Sequence, residues 1–334
     1  MDFSSLEKQY DVGNLKEMLG GVSHHISQAY AFIDSHPLPE ISQKPSRAIV
    51  CGMGGSCWYT EIVNALLFDR TVVDTCSNYV APAWAEKDTL VIASSYSGNT
   101  EETLAVLESM KGKAEYLAGI TAGGQLLTKF QEYNISFLQI MATGIQPRMS
   151  TLCNLAYLLH LLHHYGLSKD WRSEFMELET FLSGIDFETS AKQIAEEIGD
   201  KVPVIYSAAQ AVSAAKAWKI CINENSKTQA FYNYFPELNH NEMCGFTNMR
   251  MNPCFIFLHS SLDHPKNAKR MDVTKEMLQG KGNFIDVDLK GETLLQQLSY
   301  ALVMGYWVSY YVALANHVDP TPVDMVENFK AKMK

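Results

Sequence analysis

The sequence predicts an α/β protein made of two doubly wound units in tandem, each with a parallel sheet, after an N-terminal helical extension. Short apolar runs alternate with helical segments along most of the chain, as they do in open α/β sheets. Two of these runs end in turns rich in glycine and hydroxyl residues, each of which opens a helix. At 334 residues the chain is also long enough for two domains, each with its own core.

The elements follow this plan in order. Residues 1–45 have helical spacing, and a leucine-rich helix is expected after residue 147. The expected strands are Arg47–Cys51, 71–76, 89–94, Tyr116–Thr121 and 135–140 in the first unit, and 202–207, 254–259 and 283–289 in the second. We therefore expect the N-terminal helices and the first unit at residues 1–165, a helical connector at 166–200, and the second unit with C-terminal helices at 201–334.

Composition limits the classes of function. The chain has 37 acidic and 27 basic residues, a net charge of -10, which argues against a nucleic acid as a partner. Seven cysteines without a CxxC spacing, and a beginning without a signal-peptide pattern, favour free thiols in the cytoplasm. Residues 293–318 carry no charge, but several tyrosine, serine and glutamine residues dilute this segment. It is therefore expected to be a buried helix, in a core or at a subunit interface, and no membrane partner is expected.

Residues 216–242 contain the highest density of side chains that could take part in catalysis. A carboxylate, Glu224, is expected at a helix end, and an imidazole, His240, is expected on an asparagine-rich loop. Glutamate and histidine are the usual pair for moving protons near neutral pH. The alternative is that these polar residues only cap a helix and fill a solvated turn.

The two strand-to-helix turns point to a phosphate group. GMGGS contains Gly54, Gly55 and Ser56, and SYSGNTEET contains Ser95, Ser97 and Thr100. Backbone N–H groups at such turns bind anions, and hydroxyls without a P-loop lysine suit a phosphate monoester on a small molecule. Alternatively, these are ordinary turn and cap residues.

These motifs resemble a known family. GMGGS with SYSGNTEET is similar to the sugar isomerase (SIS) domain, which has a doubly wound, flavodoxin-like sheet. NEN-x-K, PELNHNE and DPTPV resemble the bifunctional phosphoglucose/phosphomannose isomerase family, from about residue 45 to the C-terminus. The resemblance implies an isomerase without metal or other cofactor that interconverts glucose 6-phosphate or mannose 6-phosphate with fructose 6-phosphate through an enediolate.

The resemblance also implies a role for each matched residue. Ser56, Ser95, Ser97 and Thr100 would hold the sugar phosphate, with Gly54 and Gly55 allowing close backbone approach. Glu224 would move the proton between C1 and C2, and Arg148 would stabilise the enediolate. Lys330 and His240 would help to open the sugar ring. The protein would be a homodimer in which His240 enters the partner's active site.

Some points stay open at this stage. Cys57, Trp58 and Tyr59 replace the small residues usual after the first turn, which leaves the exact substrate undecided, and a role for Thr321 near C2 is equally open. The rival functions are a non-catalytic phosphosugar-binding regulator and an isomerase or lyase acting on an amino sugar phosphate. A metal site is not expected, because the only dense histidine cluster, at residues 160, 163 and 164, lacks a carboxylate in the same turn.

Overall fold

A computed structural model describes residues 1–68, 71–141 and 146–333. The α-helices are α1 Phe3–Tyr10, α2 Leu15–Gly20, α3 His25–Ser35, α4 Thr60–Leu66, α5 Glu101–Met110, α6 Gly124–Glu132, α7 Thr151–His164, α8 Arg172–Ser183, α9 Phe187–Ile198, α10 Val212–Ser226, α11 Pro265–Met277, α12 Leu294–Ala315 and α13 Asp324–Met333. The strands are β1 Arg47–Cys51, β2 Val73–Cys76, β3 Thr89–Ser95, β4 Tyr116–Thr121, β5 Ser136–Gln139, β6 Val202–Ala208, β7 Phe231–Phe235, β8 Pro253–His259 and β9 Asn283–Asp288. The eight expected strands are all present, with ends within two residues of the prediction.

The chain forms two compact units. One is Val22–Ser183, and the other combines Met1–Gly21 with residues 184–333. This division differs from the expected boundaries, because the first helices belong to the unit of the second sheet. There the ring of Phe3 lies edge-on to Tyr311 at 4.8 Å, and Tyr310 donates a hydrogen bond to Asp11. Amphipathic spacing predicts an apolar face for a helix, but it does not say which partner covers that face.

The first unit contains a five-stranded parallel sheet in the order β2-β1-β3-β4-β5. The chain moves outward from β1 to β2 and then returns past β1 to β3, so the winding direction reverses between β1 and β3. These two strands are in register as far as Cys51 and Ala93, so their carboxyl ends lie side by side. In open α/β sheets, ligands bind outside the carboxyl ends of the strands at such a reversal.

The second unit contains a four-stranded parallel sheet in the order β7-β6-β8-β9. Its winding reverses between β6 and β8, as it does between β1 and β3 in the other sheet. The edge strand β7 is not among the strands expected from the sequence. Phe231 and Tyr232 are exposed on this edge strand, so the usual sign of a strand, one buried and one solvated face, is weak here.

The charge-free segment forms the 22-residue helix α12. A capping box between Thr293 and Gln296 fixes its beginning. Among the described residues, α12 is the helix whose length and composition would allow it to cross a membrane. However, 94% of its apolar window is buried inside the structure. Trp218 of α10 donates its indole N–H to the carbonyl of Ala301 at 2.7 Å, and Gly305 leaves room for the indole ring. α12 is therefore the central core helix of its unit.

Candidate active site

The first turn follows β1 and contains a short 3₁₀ segment, Gly54–Ser56. Gly54 has a φ of 51°, a left-handed conformation that favours glycine. A Cβ on Gly55 would lie only 3.2 Å from the carbonyl oxygen of Pro147, so glycine allows the Pro147–Met149 segment to approach the turn. The structure thus places Arg148 next to the first turn.

The second turn follows β3. The hydroxyls of Ser95 and Thr100 are hydrogen-bonded to each other at 2.8 Å, and Ser95 also accepts from the N–H of Gly98 at 3.1 Å. Gly98 has a φ of 66°, and a Cβ there would collide with the carbonyl oxygen of Gly123 at 1.7 Å. The shape of this turn therefore depends on glycine and on an internal hydroxyl pair.

The two turns are joined directly. The hydroxyl of Ser56 accepts a hydrogen bond from the N–H of Tyr96 at 2.9 Å. Ser56 and Ser95 are both buried and hold the turns together, whereas Ser97 is exposed and Thr100 is half-buried. Hence the Ser97 side chain is the exposed one of the four, the half-buried Thr100 shares its hydroxyl with Ser95, and Ser56 and Ser95 act mainly on the conformation of the turns.

Arg148 is buried, with only 3% of its surface exposed. Its guanidinium group donates to the side-chain oxygen of Gln146 at 3.3 Å. A buried arginine beside a glycine-rich turn supplies a fixed positive charge to any anion that enters there. The sequence-predicted phosphate residues and Arg148 are therefore brought together within one unit.

Glu224 lies in the last turn of α10, as predicted, and is half-buried. The polar residues around it bond to the rest of the unit. Asn223 donates to the carbonyl of Thr228 at 2.7 Å, Asn225 donates to the hydroxyl of Ser309 at 2.8 Å, and Ser226 donates to the carbonyl of Ser309 at 2.7 Å. These contacts fix the end of the helix that carries the carboxylate.

His240 ends the 3₁₀ segment Glu237–His240, and its side chain is exposed. It makes no hydrogen bond to any residue that the structure describes. Its neighbours are bonded: Glu242 accepts from Asn233 and, at 2.5 Å, from the hydroxyl of Tyr206. Burial, with the nearby Glu242 carboxylate, raises the pKa of Tyr206, which therefore remains a proton donor in this bond. The loop is thus fixed while its imidazole faces solvent.

Within one chain, the chain order places Glu224 and His240 at opposite ends of the strands of the second sheet. α10 follows β6 and runs back along the sheet before the parallel strand β7, so its last turn lies near the amino ends of the strands. His240 comes after the carboxyl end of β7. The 15 residues of α10 span about 22 Å at about 1.5 Å per residue.

The remaining predicted residue, Lys330, is exposed on α13, where it forms an ion pair with Glu327 at 2.7 Å. One structurally prominent residue was missed by the sequence analysis. Lys227, the last residue of the NEN-x-K motif, makes three hydrogen bonds at the end of α10. Only its place in that motif pointed to it. Over the part of the chain that the structure describes, no group of three or more His, Cys, Asp or Glu side chains is placed to hold a metal ion.

Comparison with known proteins identifies the family. The family described as the bacterial phospho-glucose isomerase C-terminal SIS domain matches residues 187–333. A bifunctional phosphoglucose/phosphomannose isomerase from Caldicellulosiruptor bescii is 31% identical over 333 residues, with 95% of this chain and 98% of the relative covered. This chain belongs to the bifunctional phosphoglucose/phosphomannose isomerase family. The resemblance noted from its motifs is therefore confirmed.

A second member of the phosphoglucose/phosphomannose isomerase family, from Aquifex aeolicus, is 33% identical over 299 residues, with 87% of this chain and 91% of the relative covered. Among solved structures, the C-terminal domain of glucosamine-fructose-6-phosphate aminotransferase from Francisella tularensis superposes with a TM-score of 0.68. That alignment covers 94% of this chain and 98% of the other at 17% identity, so it supports the fold alone.

Proposed function

We propose that this protein is a phosphohexose isomerase that interconverts glucose 6-phosphate and mannose 6-phosphate with fructose 6-phosphate through an enediolate. The observation that carries the proposal is the pair of joined turns at the reversal point of the first sheet, with the exposed Ser97, the half-buried Thr100 and a buried arginine beside them. Family membership supports the same reaction. We further propose that each compact unit is one SIS domain, with Met1–Gly21 as an added helical segment of the second.

Substrate would be held by its phosphate. Ser97 and Thr100 donate to the phosphate oxygens, together with backbone N–H groups of the two turns, while Gly54 and Gly55 let the backbone approach. Ser56 and Ser95 keep these donors in place through the bonds described above. A sugar without phosphate lacks these contacts, and the binding energy they provide is then unavailable to position C1 and C2.

Proton transfer would use Glu224. Its carboxylate removes the proton from C2 of the open-chain aldose; the C–H electron pair forms a C1=C2 double bond, and the π electrons of the C1 carbonyl move to O1 to give the enediolate. A proton passes from O2 to O1, and return of the proton from Glu224 to C1 as the C2 carbonyl forms then gives the ketose. Arg148 stabilises the negative charge that develops on the oxygens, and Lys330 assists the opening of the sugar ring. These steps need no metal ion.

His240 would assist ring opening in the active site of the partner subunit. This proposal is supported by the exposed imidazole of His240 and by its position after the carboxyl end of β7, whereas Glu224 lies near the amino ends of the strands. We therefore propose a homodimer in which each active site combines Glu224 of one chain with His240 of the other. All seven cysteines are free thiols, which favours a reducing compartment such as the cytoplasm.

The test is an isomerase assay of the purified, EDTA-treated protein with each of the three hexose 6-phosphates. We expect all three to be interconverted, with unphosphorylated glucose a very poor substrate. Binding of the hexose phosphates without any interconversion would support a phosphosugar-binding regulator instead. Turnover of only amino sugar phosphates would also contradict the proposal.

A further inference from the structure

Lys227 has an unusual backbone conformation. It directly follows α10 and has a φ of 55°, in the left-handed region. Helices commonly end in this conformation, but the residue is then usually glycine, which adopts it without steric cost. A lysine at this position keeps a strained backbone, which suggests that its side chain has a task that glycine would not fulfil.

The side chain of Lys227 binds three carbonyl oxygens. Its Nζ lies 2.7 Å from the oxygen of Glu224, 3.1 Å from that of Asn225 and 3.2 Å from that of Pro320. An ammonium group has three N–H donors, enough to give one to each of these carbonyls. The first two carbonyls belong to the last turn of α10, where carbonyls have no partner in the helix and where positive charge is favoured by the helix dipole.

The third carbonyl belongs to the segment between α12 and α13, at residues 319–321. Gly13 also packs against this segment. A Cβ on Gly13 would lie 2.2 Å from the hydroxyl oxygen of Thr321, so the turn before α2 and this segment are in close contact. The N–H of Thr321 also donates to Asp319 at 2.9 Å. Lys227 therefore connects the end of α10 to a segment that also packs against the turn before α2.

We propose that Lys227 is a positioning residue for Glu224. Its ammonium group prevents the last turn of α10 from fraying and fixes that turn against residues 319–321, which sets the position of the carboxylate. This inference rests on the proposed isomerase function, in which Glu224 is the base. A general base must be held close to its productive position, since a displacement of about 1 Å can reduce the rate about 100-fold.

The substitution Lys227→Gly separates this role from helix capping. Glycine relieves the left-handed strain and preserves the helix end, while it removes all three ammonium contacts. Because the lost ammonium contacts and the relieved strain act in opposite directions, we expect a folded protein with a thermal midpoint close to that of the wild type, a similar KM for glucose 6-phosphate, and a kcat lower by about 10- to 100-fold. We also expect a larger primary isotope effect on kcat with substrate deuterated at C2, because proton transfer becomes more rate-limiting.

Asn134→Gly is the matched control. Asn134 is exposed, has a φ of 53° and lies between α6 and β5, so glycine there also relieves strain but removes no contact of Glu224. Its kcat and isotope effect should equal those of the wild type. If Lys227→Gly retains wild-type kcat, or loses activity only in proportion to lost folded protein, the positioning role is refuted while the isomerase function stands. An inactive wild type would instead reject the proposed function itself, and this inference with it.

Discussion

Mixing two inactive variants tests how the active site is assembled. In a single chain, Glu224 lies in the last turn of α10, which is about 22 Å long, and His240 follows the far end of β7, which is about 17 Å long. Groups that act on the same sugar must both lie within hydrogen-bonding reach of it, at about 3 Å from the atoms they serve. From this chain order we expect the two side chains of one chain to be too far apart to act on one sugar, and the proposed site then takes His240 from a partner subunit.

The expected recovery follows from counting sites. Glu224→Gln removes the base, and His240→Ala removes the imidazole, so each pure dimer is inactive. Random exchange of equal amounts gives about half heterodimers. In each heterodimer one site carries both defects and the other carries neither. The mixture should therefore regain about a quarter of the wild-type activity per site.

The assay is fructose 6-phosphate formation after subunit exchange, with heterodimers counted by native mass spectrometry of differently tagged chains. As the control, Glu224→Gln is mixed with a variant carrying both substitutions, a pairing in which no intact site can form. Confirmed heterodimers without activity would show that His240 acts within its own chain. A monomer in solution would refute the assembly outright.

Three other changes test separate features. Replacing both Ser97 and Thr100 by alanine should weaken the binding of inorganic phosphate and of glucose 6-phosphate by similar factors, which calorimetry measures. The control Ser109→Ala on α5 should change neither affinity. Unchanged affinities in the double variant would contradict the phosphate site. Gly305→Ala should lower the free energy of unfolding by about 1–3 kcal/mol despite better helix propensity, because its Cβ would lie 2.6 Å from the indole of Trp218. Gly20→Ala on α2, which meets no atom within 4 Å, should not lower it, and equal effects would exclude the proposed clash. Burial opposes ionisation of Glu188, but hydrogen bonds from Lys192 and Lys16 lower its pKa to about 2 from an ordinary 4.5. The stabilisation is complete above about pH 4.5 and is lost as the pH falls through about 2, so the thermal midpoints of wild type and Glu188→Gln should differ at pH 6 and converge near pH 2; a constant difference would contradict the ion pairing.

The first sheet was largely predictable because its strands carry a strong local signal. β1 and β4 were predicted with their exact bounds, since both are continuous apolar runs ended by turn residues. β7 was missed because an edge strand with exposed aromatic residues has neither a buried run nor a clear alternation. The attachment of α1 and α2 was also missed, because the amphipathic pattern of a helix indicates that one face is covered but does not indicate which element covers it.

The phosphate turns show a second limit of sequence reasoning. Ser56, Ser95, Ser97 and Thr100 were all assigned to the phosphate, and a hydroxyl in a turn has the same sequence signature whether it faces a ligand or the backbone. In the structure Ser56 bonds to the N–H of Tyr96, and Ser95 to that of Gly98. Only the three-dimensional contacts show that Ser56 and Ser95 are bonded within the turns and that Ser97 is exposed.

The same distinction explains why residues 216–242 are so rich in polar side chains. Two interpretations were available for this window: catalysis, or the capping of a helix and the filling of a turn. The structure shows the structural part, because Asn223, Asn225 and Ser226 all bond to the surrounding chain at the end of α10, while catalysis by Glu224 stays a prediction. A carboxylate at a helix end needs such neighbours, since the last carbonyls of the helix have no intrahelical partner and the turn would otherwise fray. A catalytic carboxylate at a helix end is therefore expected to be surrounded by polar residues that stabilise that end. A high density of polar residues predicts such a site but does not identify the residue that transfers the proton.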